Sequence, residues 1–372
     1  MAVEIKIVEQ RQDLKCYIRF PFELYKHDPY WVPPLFADEY TYYNPKTNIN
    51  LRINPYQLFL AYKDRRLVGR IMALIHQEGN TLRNEKLIRW TFLDAIDDGE
   101  VVQALLQAAE AWGQVHGMEF AVGPRGFSDQ EPEGALIEGF DERALINAHY
   151  NRPYLLTYLE QAGYRKDVDW VCYRMNVPDE LPSTYQAIYK RLLKQQRFTC
   201  HNFTRKAELR QYILPVLELW NEAYKDLYGV SPIHDEEFQA LAKKYLPILN
   251  PRFIHVIKEG NSLIGFSIVM PDITEALQKA RGRLFPFGLF YLLKALKTSK
   301  TLQFLLVGVK EQYRRQGLFV LFAMALLKEV QAAGMTRVQS HLQLEDNSNI
   351  NTWLERLGGT IFRRYRAFIK KL

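Results

Sequence analysis

Between residues 304 and 318 the chain places an apolar run, Phe304-Leu-Leu-Val-Gly-Val, ahead of Lys310-Glu-Gln-Tyr-Arg-Arg-Gln-Gly, and then starts a helix-forming stretch from Leu318 to about Ala333. A strand, a tight basic loop with glycine and a helix start together make an anion site. The first amides of a helix lack partners, its dipole favours negative charge, and glycine lets the backbone come close. Arg314 and Arg315 add charge where a phosphate oxygen would sit. Further on, His341, Gln343 and Glu345 alternate along an expected strand over 336–345 and so share a face. A histidine suits proton transfer near neutral pH, and Glu345 can act directly or through water. A hydrogen-bonded structural histidine and a turn or cap carboxylate are the alternative readings of these two residues.

The elements that must position these groups follow a repeat. Residues 58–75 and 253–270 each read as two short apolar strands around a polar turn, with Leu-(Val/Ile)-Gly ending at Gly69 and Gly265. Each half later has a helix ending in glycine, Gly163 or Gly358, followed by a strand; the separations from the earlier glycine are 94 and 93 residues. In the second half the expected order is a strand over 199–204, helices over 207–228 and 235–247, the hairpin, then strand 302–309, helix 317–333, strand 336–344, helix 348–357 and strand 360–369. A mixed α/β sheet per half follows, and two domains suit 372 residues. The ranges read as 1–180 and 199–372. A linker helix at 181–198 joins them, introduced by Asn176-Val-Pro-Asp-Glu-Leu-Pro-Ser-Thr and carrying Lys190, Arg191, Lys194 and Arg197; it reads as a solvated connector, with a ligand contact as the alternative.

Val309-Lys-Glu-Gln-Tyr-Arg-Arg-Gln-Gly-Leu resembles the V-x-P-x-Y-R-G-x-G-I-G signature of the GNAT acyltransferase superfamily, with Arg314 and Gly317 at that family's Arg and first Gly. Asn347-Ser-Asn-Ile-Asn-Thr-Trp-Leu-Glu-Arg-Leu-Gly-Gly is similar to its N-x-x-A-x-x-L-Y-E-K-L-G-F, with Asn347 and Gly358 matched. The resemblance implies two tandem acyl-CoA N-acyltransferase-like domains, and acetyl-CoA or another acyl-CoA as the acyl donor. It also implies a cofactor set of Val309, Arg314, Arg315, Gln316, Gly317, Leu318, Phe319 and Asn347. Phe319 replaces the small last residue of the loop and is expected to crowd the helix start. Leu354 stands where the family's acidic tyrosine often does, and Phe304 or Leu305 where a carboxylate base often does, so only Glu345 and His341 remain as catalytic candidates. The equivalent loop in the first half, Phe92-Leu-Asp-Ala-Ile-Asp-Asp-Gly-Glu, is acidic and lacks arginine, which makes that half a degenerate, non-binding copy.

The expected activity is N-acyl transfer, most simply acetyl transfer, to a small-molecule or peptide amine. A non-catalytic acyl-CoA sensor or scaffold and a Fem-type aminoacyl transferase are the alternatives. The chain holds 20 Lys and Arg against 27 Asp and Glu up to Pro182, and 29 against 15 beyond it. A basic second half suits an anionic ligand such as a polyphosphate cofactor; DNA and RNA are not the expected partners. Leu284-Phe-Pro-Phe-Gly-Leu-Phe-Tyr-Leu-Leu-Lys-Ala-Leu-Lys is too short to span a bilayer; it reads as a helix packed between domains or, with Lys294, Lys297 and Lys300, as a lid or a peripheral membrane contact. With no signal-like start and three cysteines lacking metal spacing, the expectation is a cytoplasmic protein with no metal site.

Overall fold

The structure is a computed structural model and describes residues 2–372, the side chain of Asn349 excepted. The first half runs β1 (Glu4–Ile7), α1 (Arg11–Leu24), α2 (Phe36–Tyr42), α3 (Ile49–Ile53), β2 (Tyr56–Lys63), β3 (Arg66–Leu74) and α4 (Gln77–Arg83). It continues with β4 (Leu87–Ala95), α5 (Gly99–Val115), β5 (Phe120–Gly123), β6 (Ala135–Glu138), α6 (Tyr154–Gln161) and β7 (Arg165–Asn176). After α7 (Ser183–Gln195) come β8 (Phe198–Asn202), α8 (Lys206–Leu209), α9 (Ile213–Tyr224), α10 (Asp235–Tyr245), β9 (Ile254–Glu259) and β10 (Ser262–Pro271). The chain closes with α11 (Thr274–Ala280), α12 (Gly288–Thr298), β11 (Thr301–Val309), α13 (Phe319–Ala332), β12 (Arg337–Gln339), β13 (Gln343–Leu344), α14 (Ser348–Arg356) and β14 (Thr360–Lys371).

The repeat is visible in the strand pairings. Both hairpins, β2 with β3 and β9 with β10, are antiparallel, and each sheet continues through a third antiparallel strand, β4 or β11. In both halves that strand then pairs in parallel for three residues, β4 with β5 and β11 with β12. The mixed α/β class expected from the sequence is what forms. In the first unit one face of the sheet packs Leu105, Leu106 and Ala109 of α5 against Phe59, Ile71 and Trp90, and the other packs Tyr17 and Ile18 of α1 against Leu58, Leu60 and Met72. In the second unit Leu318, Leu321 and Phe322 of α13 pack on Ile257, Ile264 and Val309.

The compact units are not the contiguous ranges 1–180 and 199–372. One contains residues up to Val171, Thr274–Tyr291 and Phe362–Leu372; the other contains Cys172–Ile273 and Leu292–Ile361. The closing strands account for the exchange. In the first unit β14 lies antiparallel to β5, Phe368 opposite Gly123 and Lys371 opposite Phe120. In the second, the end of β7 lies antiparallel to β12, Arg337 opposite Asn176 and Gln339 opposite Arg174. Each half therefore completes the sheet of the other, whereas the sequence pattern placed each closing strand in its own half. Alternating apolar residues fix that a strand is half-buried; they carry no label for the edge it joins.

The expected strand over 336–345 is also broken. Residues 340–342 are outside the strand: Ser340 still donates its amide to the Tyr173 carbonyl on β7, 2.8 Å, but Tyr173 returns its amide to Ser340 Oγ in place of a carbonyl, and Ser340 Oγ donates to the carbonyl of His341, 2.8 Å. Strand alternation thus does not carry His341, Gln343 and Glu345 onto one face.

Candidate functional site

Past Gln303, β12 has ended while β11 continues to Val309, so the two strands part after a three-residue parallel contact. Phe304, Leu305, Leu306 and Val307 are only half-buried although they lie on an inner strand. A bulge at this point pairs Val269 with Phe304 and Ile268 with Leu306, leaving Leu305 without a cross-strand partner. The parallel pairing thus ends directly ahead of the basic loop.

The loop is braced at its start and open at its end. Lys310 donates its amide to the Ile264 carbonyl, Tyr313 turns back to Lys310, and Arg314 to Glu311. The Tyr313 hydroxyl donates to Glu259, which Arg197 also holds; these bonds keep the Glu259 carboxyl below its ordinary value. Beyond this brace, the amides of Arg315, Gly317, Leu318 and Phe319 donate no hydrogen bond among the described residues, the first partnered amide of α13 being that of Val320, to Gly317. Arg315 and Gly317 have φ of 67° and 83°, and Leu318 follows in the right-handed region. Alternation of hand turns successive amides inward to a common concavity, the backbone arrangement that holds anions. A Cβ on Gly317 would stand 2.8 Å from Ile188 Cγ2, besides the strain of its φ, so only glycine fits.

The sequence-derived residues take different places around this cradle. Arg315 is exposed beside it, and Gln316 bonds the Gln312 carbonyl within the loop. Arg314 sends a guanidinium N–H to the Ala223 carbonyl, 2.6 Å, at the end of α9, where a cation is favourable to the helix dipole. Val309 and Leu318 are buried in the core under α13. Phe319 does not cover the free amides; its ring turns to Trp353 on α14, centroids 6.0 Å apart. Asn347 is the N-cap residue of α14 without a side-chain cap bond, which leaves its amide group available to a ligand. His341 is half-buried and Glu345 exposed at the turn before α14; Leu354 is buried in place of a hydroxyl.

Of two further contributors, one was only the alternative reading of its helix and the other escaped the sequence. Helix α7 is not a solvated connector: Leu192 and Tyr185 are buried against α13, and Ile188 closes on Gly317. This packing brings the exposed Arg191 guanidinium to 4.0 Å from where a Gly317 Cβ would be, so Arg191 supplies positive charge at the loop from a different element. Its charge on the helix was legible; its neighbour was not. Asn351 is the second, buried and donating to the carbonyls of Leu344 and Glu345 at 3.0 and 2.9 Å, which fixes the turn carrying Glu345.

The equivalent helix start in the first half is filled by its own side chains. Asp98 caps α5 by accepting from the Glu100 amide, Lys63 bonds both Asp98 and Glu100, and Tyr158 bonds Asp97 while its ring closes over Gly99. A carboxylate occupies the position an anionic ligand would need. The long stretch after Gly123 is likewise packed in, with Phe127 buried, Glu131 accepting from Tyr42 and from the Phe127 amide, and Asn151 bonding both main-chain groups of Leu136.

Known proteins resemble the chain from end to end. Protein YghO of Escherichia coli is 31% identical over 376 residues, spanning 97% of this chain and 94% of that one. A bacterial ceramide synthase of Caulobacter vibrioides is 30% identical over 375 residues, spanning 98% and 96%. Among solved structures, a tandem GNAT protein from the clavulanic acid biosynthesis pathway superposes with a TM-score of 0.56 at 12% identity, covering 99% of this chain and 98% of its own. No family model matches the chain.

Proposed function

Because this chain belongs to one family with YghO and a bacterial ceramide synthase, and shares its fold with a tandem GNAT protein, we propose that it is an acyl-CoA-dependent N-acyltransferase acting on a long-chain amino alcohol. The observation that carries this reading is the end-to-end likeness to the ceramide synthase, a ceramide being the amide of such an amine with a fatty acid. A long acyl group then replaces the acetyl group that the fold alone would suggest.

The residues present fit coenzyme A. The unpartnered amides at the start of α13, with Arg191 and Arg315, would take the pyrophosphate, and Asn347 the pantetheine arm where β11 and β12 part. The bound donor would present its acyl carbon as a thioester. In the transfer the amine nitrogen would bond to that carbon, the C–S bond would break with the electron pair leaving on sulfur as thiolate, and the proton lost by the amine would be accepted and then passed to the sulfur to give the free thiol. His341 and Glu345 are the acceptors proposed, Glu345 being held in place through its carbonyl by Asn351.

The test supplies acetyl-, octanoyl- and palmitoyl-CoA with sphinganine or a short alkylamine and follows thiol release. Release with the longest donor, dependent on the long-chain amine and abolished in Gly317→Asp, supports the proposal. Binding of acyl-CoA without thiol release for any amine would instead make the protein a sensor. Of His341→Ala and Glu345→Gln, the one that removes the acid limb of the pH–rate profile identifies the proton acceptor.

A further inference from the structure

Five of the large apolar side chains that stand in solvent fall within nine residues: Phe285 is 74% exposed, Phe287 65%, Phe290 62%, Leu293 52% and Leu289 41%. Isolated exposed leucines are ordinary on a folded surface, but a run containing three phenylalanines marks an interaction site. The run is firmly based. Gln278 on α11 donates to the carbonyls of Pro29 and Trp31, at 2.8 Å each, and Gly282 accepts the Phe36 amide at 2.8 Å and packs against the Phe22 and Phe36 rings. The phenylalanines thus project from an anchored segment.

Their chemistry is sorted around α12. At 100° per residue, Leu289, Leu293, Lys297, Phe290 and Lys294 occupy one continuous half of the helix surface, all exposed, while the buried Leu292 lies on the other half. Apolar side chains beside lysines whose stems reach outward is the make-up of a helix lying in the lipid headgroup layer. The charge of the whole stretch has one sign. Between Glu275 and Glu311 there is no acidic residue, and Lys279, Arg281, Arg283, Lys294, Lys297, Lys300 and Lys310 are basic. With 11 residues α12 is about half the length that crosses a bilayer, and no helix of the described residues is long and apolar enough to do so. The segment can lie on a membrane and cannot span it.

We infer that Arg281–Lys300 is a membrane-docking element that inserts Phe285, Phe287 and Phe290 among the lipids of an anionic bilayer and holds the phosphates with its arginines and lysines. An acidic protein surface would meet the charge, but the graded order along the segment, aromatic tip and then flanking lysines, matches the layering of a lipid surface. The inference is independent of the acyl-transfer reading, since it concerns binding without substrate.

The experiment is co-sedimentation of the whole protein with vesicles of phosphatidylcholine alone and of equal parts phosphatidylcholine and phosphatidylglycerol. The wild type is expected to sediment with the anionic vesicles and at least about tenfold less with the neutral ones. The triple variant Phe285→Ser, Phe287→Ser, Phe290→Ser is expected to lose roughly tenfold or more in partitioning with an unchanged melting temperature, because the replaced rings are exposed. Wild-type protein left in the supernatant, equal binding to both vesicles, or a triple variant that binds as well as the wild type each overturns the proposal. So does a wild-type dimer that ignores vesicles and that the triple variant splits, which would assign the patch to a second copy of the chain. Transfer to a detergent-dispersed amine, retained in the triple variant, separates a failure of docking from a failure of the proposed activity.

Discussion

Arg191 and Arg314 illustrate how differently two arginines near one loop are used. Arg314 spends its guanidinium on the Ala223 carbonyl, whereas Arg191 lies beside Gly317 and the open amides with no protein partner among the described residues. A charge-assisted contact to phosphate is worth about 1.5–3 kcal/mol. Arg191→Ala should therefore raise the dissociation constant for acyl-CoA by roughly ten- to a hundredfold in calorimetry, at unchanged melting temperature. Arg314→Ala should show the reverse pattern, lowering the melting temperature more than the affinity. If R191A binds as the wild type does, the cradle is held without α7. A second residue-scale prediction concerns His255, fully buried on β9 with both ring nitrogens unpartnered. Burial pushes its pKa from 6.5 down to about 4. Once unfolded, the ring binds a proton below about pH 6.5 that the folded chain refuses until about pH 4. Its contribution is intact above pH 6.5 and is lost as pH falls, on the order of 3 kcal/mol in all. Melting temperature against pH should accordingly be less steep between those limits in His255→Leu, and an unchanged slope would place the titration elsewhere.

Among the elements, α7 is the one whose role changes most once the fold is known. Its charges suggested a solvated connector, yet it buries Leu192 and Tyr185 against α13 and sets Ile188 on Gly317. Leu192→Ala should cost about 2–5 kcal/mol of stability, as for other buried leucines, measured by denaturant unfolding. A cost within that of a surface substitution would restore the connector reading. Helices α5 and α13 make a matched pair that differs at the capping residue. Asp98 caps α5 with its own carboxylate, while α13 begins with Leu318 and leaves its amides open. An aspartate in that position satisfies the helix and excludes an anion; a leucine does neither.

For the whole molecule, the exchange of closing strands makes the two halves interdependent. A chain ending at residue 180 would keep β5 and lose β14, and with it the buried Tyr365, Ala367 and Phe368 and the ion pairs of Arg366 with Asp169 and Lys370 with Glu110. It is expected to show no cooperative thermal unfolding by circular dichroism, whereas two halves that each closed their own sheet would allow residues 1–180 to fold alone. A sharp melt for that fragment would contradict the exchange.

The duplicated hairpins, the strand–loop–helix at 301–332 and the acidic degeneration of the first copy could all be read from the amino-acid order, because each rests on local rules of periodicity, glycine conformation and charge within a few residues. Gly317, Arg315 and Asn347 were legible for the same reason. Arg191 and Asn351, the turn of Phe319 toward Trp353, the break after Gln339 and the exchange of β7 and β14 were not, because each depends on which distant element comes to lie alongside. Sequence alone determined that a strand, a glycine-bearing basic turn and a helix start would follow one another at the head of α13. Tertiary packing decided which arginine serves it and which half supplies each last strand, since burial selects partners by shape and edge pairing that no local pattern encodes.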